Sequence, residues 1–208
     1  MATHATQQRW RNGLLDVSDA TRVDAVFQDL SRRYTEKHRA YHTLEHIDAC
    51  LQHFDSISGR LEHPRSVELA IWFHDAIYRP SSKTNEEDSA HLATEQLGQL
   101  KLDAALIERV HRLVLVTKHP STPQTTDEAY LLDIDLATLG APEAIFDTYG
   151  KNVRREYKWV PGFLYRRERA KVLAQFLNQD RIYRTADFYD QFEAQARANL
   201  ERELRTLT

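Results

Sequence analysis

Apolar positions recur every three or four residues along most of this chain, and no stretch alternates apolar with polar in the rhythm of a half-buried strand. Val23, Val26, Phe27, Leu30 and Tyr34 predict a first amphipathic helix after a cap region at Ser18 and Asp19. A second runs from near Thr43 through Leu44, Ile47, Leu51, Phe54 and Ile57 and stops near Gly59. A third begins after Pro64 and carries Val67, Ala70, Ile71, His74 and Ile77. Its LAIWF centre is apolar on every side, which predicts a buried central helix. A fourth spans Thr84 to near Gly98, and a fifth starts at Asp103 and turns Leu106, Ile107, Val110, Leu113, Val114 and Thr117 inward. The tract HPSTPQTTD, residues 119–127, denies both rhythms and reads as a loop. Further helices carry LLDIDLATLG, open at Pro142, and start after the Pro161–Gly162 break; the last holds Phe188, Phe192, Ala196, Leu200 and Leu204. The expectation is an all-α bundle of about nine helices.

Length allows one large domain or two small ones, and the absence of a linker-like segment favours one domain over residues 1–208. Lys and Arg number 28 against 31 Asp and Glu, a net charge of −3. That balance argues against a broad footprint for long nucleic acid or for a membrane as partner, while leaving room for local patches. Cys50 is the only cysteine, so no internal bridge forms, which fits a reducing compartment. The longest apolar run, Leu69–Phe73, falls far short of the ~20 residues of a membrane helix. The start MATHATQQRW has no apolar signal core, and a cytoplasmic location is expected.

The chemistry lies in histidines and carboxylates. Ten histidines are present, and His42 and His46 share one helix face at four-residue spacing. His74 and Asp75 interrupt the apolar third helix, and Asp133 and Asp135 interrupt LLDIDL. A buried carboxylate costs several kcal/mol unless it is paired, protonated or bound to a cation. No Lys or Arg stands in these apolar stretches, so two readings compete: satisfied core polar groups, or one divalent cation gripped by imidazoles and carboxylates.

The segments RAYHTLEHI, AIWFHDAIY and LLDIDLATLG resemble the successive signatures of the HD-domain superfamily of metal-dependent phosphohydrolases. They are closest to a bacterial branch of predicted HD phosphohydrolases that also shows NEExSA, TKH, an Arg-Glu-Tyr-like segment and an AR-NL-EL-like tail. Here these stand at Asn85–Ala90, Thr117–His119, Arg155–Tyr157 and Ala196–Leu204. The resemblance runs from about residue 39 to the C-terminus and implies an HD-type core over about 39–140, with helices 141–208 packed on it. It also implies His74 and Asp75 as ligands. The YHxxxH form is similar to related cyclic-nucleotide phosphodiesterases, which makes His46 the ligand and His42 the acid for the leaving group. Asp135 is the implied last ligand and Asp133 its fallback.

Such a site would take one or two divalent ions, with Mn, Mg, Co, Ni, Fe and Zn all compatible. Asp75 would both ligate and orient the attacking water, and His42 would protonate the leaving oxygen. Thr84-x-x-Glu87 fits a capping box, which leaves Glu86 free, and the resemblance implies a catalytic acidic residue shortly after His-Asp, a role that falls to Glu86. Lys118 and His119 end the fifth helix, either complementing its dipole or, as the TKH segment of the resemblance implies, meeting phosphate or a second metal. His53, His91 and His111 read as packed or solvated. Arg154, Arg155 and Tyr157, with Lys151 and Lys158, form a local basic and aromatic patch, and Arg39 beside Tyr41 is a weaker candidate. An arginine fork suits substrate phosphate. The apolar stripe Phe188–Leu204 reads as core or as a homodimer contact. The expected function is hydrolysis of a small phosphate ester, a nucleotide or related metabolite. The alternatives are an HD-type di-iron oxygenase, which would draw ligands from His91, His111 and His119, and a catalytically silent nucleotide-binding protein.

Overall fold

The computed structural model describes residues 4–16 and 18–207, with side chains from residue 5 onward. Among them are ten α-helices, two short 3-10 turns and no strand. The chain divides into two compact units, one ending at Leu131 and one beginning at Leu132.

In the first unit, α1 (His4–Asn12) precedes α2 (Ala20–Tyr34), α3 (Leu44–Ile57), α4 (Pro64–Phe73), α5 (Asn85–Gln99) and α6 (Ala104–Val116). The α2 start is capped as the sequence suggests, by Asp19 accepting from the Arg22 N–H, and α6 is capped by Asp103. The apolar pattern does not predict α1, whose HATQQRWRN offers a single large apolar side chain. Trp10 is buried edge-on against Trp72 at 5.5 Å between centroids, its indole N–H donates to Val23 O at 2.9 Å, and Arg9 and Arg11 of the same helix pair with Asp55, Glu68 and Asp24.

The central helix is α4, buried from Leu69 to Phe73 as its all-round apolar sequence demands. Its start lacks a side-chain cap of its own. Asp127, at the start of α7 (Thr126–Leu136), fills that need by accepting from the N–H groups of Glu62 and His63 at 2.8 and 2.9 Å. At its other end α4 is shorter than expected. It stops at Phe73, and His74 is its C-cap, with its N–H on Ala70 O. His74 and Asp75 therefore stand in an exit turn, where side chains can leave the helix face.

The backbone beyond that turn is held at several points. Ser89 of α5 accepts from the Ile77 N–H at 3.0 Å and donates to Ile77 O at 3.3 Å. Asn85 exchanges two 3.0 Å bonds with the backbone of Arg79, and His38 Nε2 donates to Tyr78 O at 2.7 Å. The asparagine and serine of the NEExSA segment thus hold the backbone behind His74 and Asp75.

The second unit holds the rest of α7, then α8 (Glu143–Glu156), α9 (Gly162–Leu177) and α10 (Ala186–Leu207). A 3-10 turn at Ala137–Gly140 ends the LLDIDLATLG segment and packs on α10. Gly140 is required there, because a Cβ would stand 2.6 Å from Phe192 Cβ. Asn199 donates to Leu139 O and Ala141 O around the same turn. Arg169 forks onto Glu203 at 2.8 and 2.9 Å inside the unit.

Candidate metal centre

Three donor atoms converge within the first unit. His46 lies in the first turn of α3, set by Thr43, whose hydroxyl accepts from the Glu45 N–H. His74 and Asp75 come from the exit turn of α4. The two Nε2 atoms are 3.2 Å apart, His74 Nε2 is 3.2 Å from Asp75 Oδ2, and His46 Nε2 is 3.8 Å from the same oxygen. Ligands at 2.0–2.2 Å from one ion lie about 2.8–3.6 Å from each other when the angles are octahedral or tetrahedral. The two shorter separations fall in that window, and the third corresponds to a more open angle.

The tautomer of His74 is set by chemistry. Its Nδ1 is 2.9 Å from Ile71 O, and a carbonyl can only accept, so Nδ1 carries the proton. In the neutral ring Nε2 then presents its lone pair to the cluster, the arrangement in which an outer hydrogen bond orients a ligating imidazole. Both histidines are buried, at 5% and 3% relative exposure, while Asp75 is half-buried and leaves one side open to solvent.

The two histidines of the YHxxxH segment stand in different surroundings. His46 is in the donor group and His42 is not. The His42 ring stacks on Tyr78 at 4.1 Å and meets the edge of Tyr41 at 4.9 Å, with its centroid 6.3 Å from that of His46.

Arg39 is buried, and its donors are committed: Nη1 to His42 O and Asp75 O at 3.1 and 2.8 Å, Nη2 to Ala76 O at 3.0 Å, and Nε to Glu36 at 3.2 Å. The guanidinium also lies over the rings of Tyr34 and Tyr78. The sequence suggested a phosphate contact. The fold instead uses Arg39 to tie the His42 backbone to the Asp75 backbone. Cys50, read from the sequence only as an unbridged thiol, is buried one turn after His46. Its Sγ is nearly equidistant from both ring nitrogens of His46, at 3.7 and 3.8 Å, so it flanks the ring and is off the Nε2 lone-pair axis.

The Thr84–Glu87 capping box does not form. Thr84 makes no side-chain cap and bonds Asp88, while Glu87 pairs with Lys118, whose Nζ also donates to Lys83 O at 3.0 Å. The hydrogen bond from Lys118 holds the Glu87 carboxyl below its usual range. Glu86 is half-buried in the first turn of α5, and His119 is exposed beyond α6. His91 and His111 face each other at 5.6 Å, with His111 Nδ1 near Thr94 Oγ1 and Ala90 O. Neither belongs to the donor group of His46, His74 and Asp75. His53 is half-buried, and burial lowers its pKa.

The second unit contains the two acidic candidates of LLDIDL. Asp133 is fully buried and accepts from Arg184 N–H, Thr185 N–H and Thr185 Oγ1, each at 2.7 Å. Those bonds replace the cation that a buried carboxylate was expected to need, so Asp133 anchors the approach to α10. Burial still pushes its pKa above the ordinary value. Asp135 is half-buried in the last turn of α7. Arg154 donates to Tyr157 O and Val160 O at 2.5 and 3.1 Å, and Arg155 is exposed.

No family model, no curated protein and no solved structure matches the chain.

Proposed function

We propose that the chain is a metal-dependent hydrolase of a small phosphate ester, such as a nucleotide or related metabolite. The observation that carries this reading is the convergence of His46 Nε2, His74 Nε2 and Asp75 Oδ2, with the His74 ring oriented by its Nδ1 hydrogen bond to Ile71 O. Two neutral nitrogens and one carboxylate oxygen suit a borderline divalent ion such as Zn, Fe, Co, Ni or Mn better than a cage for Ca. A divalent ion held by these residues supplies acidified water near neutral pH and offsets charge on the phosphoryl group.

The protein's own groups supply the rest. Asp75, open on one side, orients the attacking water. His42, held on Tyr78 outside the donor group, donates a proton to the leaving oxygen. Arg39 keeps the backbones of His42 and Asp75 in fixed relation, which sets the distance between acid and nucleophile. Asp135 as fourth ligand, and Glu86, Lys118, His119 and Arg155 as further catalytic or phosphate groups, rest on the sequence resemblance to HD phosphohydrolases.

The test is a phosphatase panel of mono-, di- and cyclic esters on protein reloaded with the metal found after gentle purification. Turnover that disappears with a chelator and returns with the metal supports the proposal. Iron with substrate-dependent O₂ consumption would replace it by an oxygenase. Tight nucleotide binding with no turnover under any metal would replace it by a sensor.

A further inference from the structure

The corner between α8 and α9 carries two of the most exposed large apolar side chains among the described residues, Trp159 at 62% and Phe163 at 71%. They belong to a six-residue run, WVPGFL at 159–164, with no charged side chain; Pro161 and Gly162 are exposed with them. The corner is built to hold its shape. Arg154 binds the carbonyls of Tyr157 and Val160 and lays its guanidinium over the Tyr165 ring at 4.6 Å, while Tyr157 and Tyr165 pack at 6.2 Å.

Charge around this tip runs against the rest of the chain. Residues 151–171 contain eight Lys and Arg and two acids, in a protein whose net charge is −3. Arg155 and Lys158 before the tip, and Arg166 and Arg167 after it, are largely solvent-facing. Glu156 is buried, Glu168 pairs with Arg167 and Lys171, and Arg169 pairs with Glu203, which leaves Arg155, Lys158 and Arg166 as the exposed cations beside the tip.

We infer that this corner docks on an anionic lipid surface, with Trp159 and Phe163 entering the headgroup–acyl boundary and the flanking cations meeting lipid phosphates and carboxylates. An uncharged apolar tip with cations on both sides matches that layered partner. A second copy of the same corner would bring like charges together. A single nucleic-acid strand calls for cations interleaved with the stacking rings along one track, a pattern the uncharged run 159–164 lacks. No helix of the described residues is long and apolar enough to cross a membrane, so the contact is peripheral. The expectation of no membrane partner rests on the total charge and the missing span, neither of which reports on a local corner.

The full chain is sedimented with phosphatidylcholine vesicles with and without phosphatidylserine, and tryptophan emission is recorded. Trp10 and Trp72 are buried, so a blue shift on binding reports Trp159. The expected result is phosphatidylserine-dependent sedimentation with a blue shift. Partitioning should fall at least about tenfold in Trp159→Ser/Phe163→Ser, and similarly in Lys158→Glu/Arg166→Glu. Absence of wild-type binding to anionic vesicles, or binding that both variants retain, overturns the inference. A Trp159 response to an oligonucleotide or an acidic peptide without vesicle binding overturns it as well and reassigns the corner.

Discussion

His46 and His74 aim their Nε2 atoms at one another across 3.2 Å, from the first turn of one helix and the exit turn of another. Two neutral acceptors at that distance repel unless a proton or a cation stands between them. In the neutral His74 ring the proton sits on Nδ1 toward Ile71 O, so its Nε2 offers a lone pair to a cation shared with His46.

The sequence predicts His42 and His46 on one helix face, but α3 starts at Leu44, so His42 sits in the bend ahead of it and outside the donor group. Its removal should therefore separate chemistry from metal binding. His42→Ala is expected to keep its metal content and to lose about 10²–10⁴-fold in kcat. Parallel metal analysis and steady-state kinetics check this. Full turnover in the metal-loaded variant would remove the general-acid role.

Arg39→Met should destabilise the first unit, because the carbonyls of His42, Asp75 and Ala76 lose their buried donor together. The expected cost is about 2–4 kcal/mol in urea unfolding, with metal affinity reduced about 10–100-fold. A variant with unchanged affinity would show that the clamp serves folding alone.

Gly140→Ala forces a methyl against Phe192, where both the side-chain Cβ and the backbone carbonyl stand within 2.7 Å of the new atom. Overpacking of this kind costs about 1–3 kcal/mol and should lower Tm by several degrees. An unshifted melting curve would mean that α10 retreats freely from the turn.

Asp133 gives a pH test with a defined sign. Burial raises its pKa above 3.8 in the folded protein, so the folded state holds this proton more tightly than the unfolded chain. Its contribution to stability is fully present below the unfolded value and is lost as pH rises through the raised one. The wild-type advantage over Asp133→Asn in urea unfolding should therefore shrink from acid toward neutral pH. An advantage that grows over that window would show the three hydrogen bonds outweighing burial.

The helical class is legible in the sequence because α2, α3, α6 and α10 each carry a full apolar stripe. α1 is not, since Trp10 is its one large apolar side chain and the rest of its docking runs through Thr6, Arg9 and Arg11 to Asp48, Asp55, Glu68 and Asp24, which periodicity cannot show. The run through His74 to Ile77 reads as continuous helix, yet the fold ends α4 at Phe73 and uses the next turn to aim His74 and Asp75. Residue types also conceal roles that depend on distant backbone. Nothing local to Asp133 announces the N–H groups of Arg184 and Thr185. An arginine at 39 or 154 looks available for phosphate until the carbonyls it binds are known.

If His46, His74 and Asp75 hold one divalent ion, calorimetric titration of chelator-treated protein with Zn, Mn, Co and Fe(II) will detect it, with His46→Ala and His74→Ala titrated alongside. Saturable binding of at least one of these ions to the wild type is predicted, with loss of that site in both variants while their helical circular dichroism is retained. Binding of equal affinity in His74→Ala, or none in the wild type, would contradict the shared-ion site.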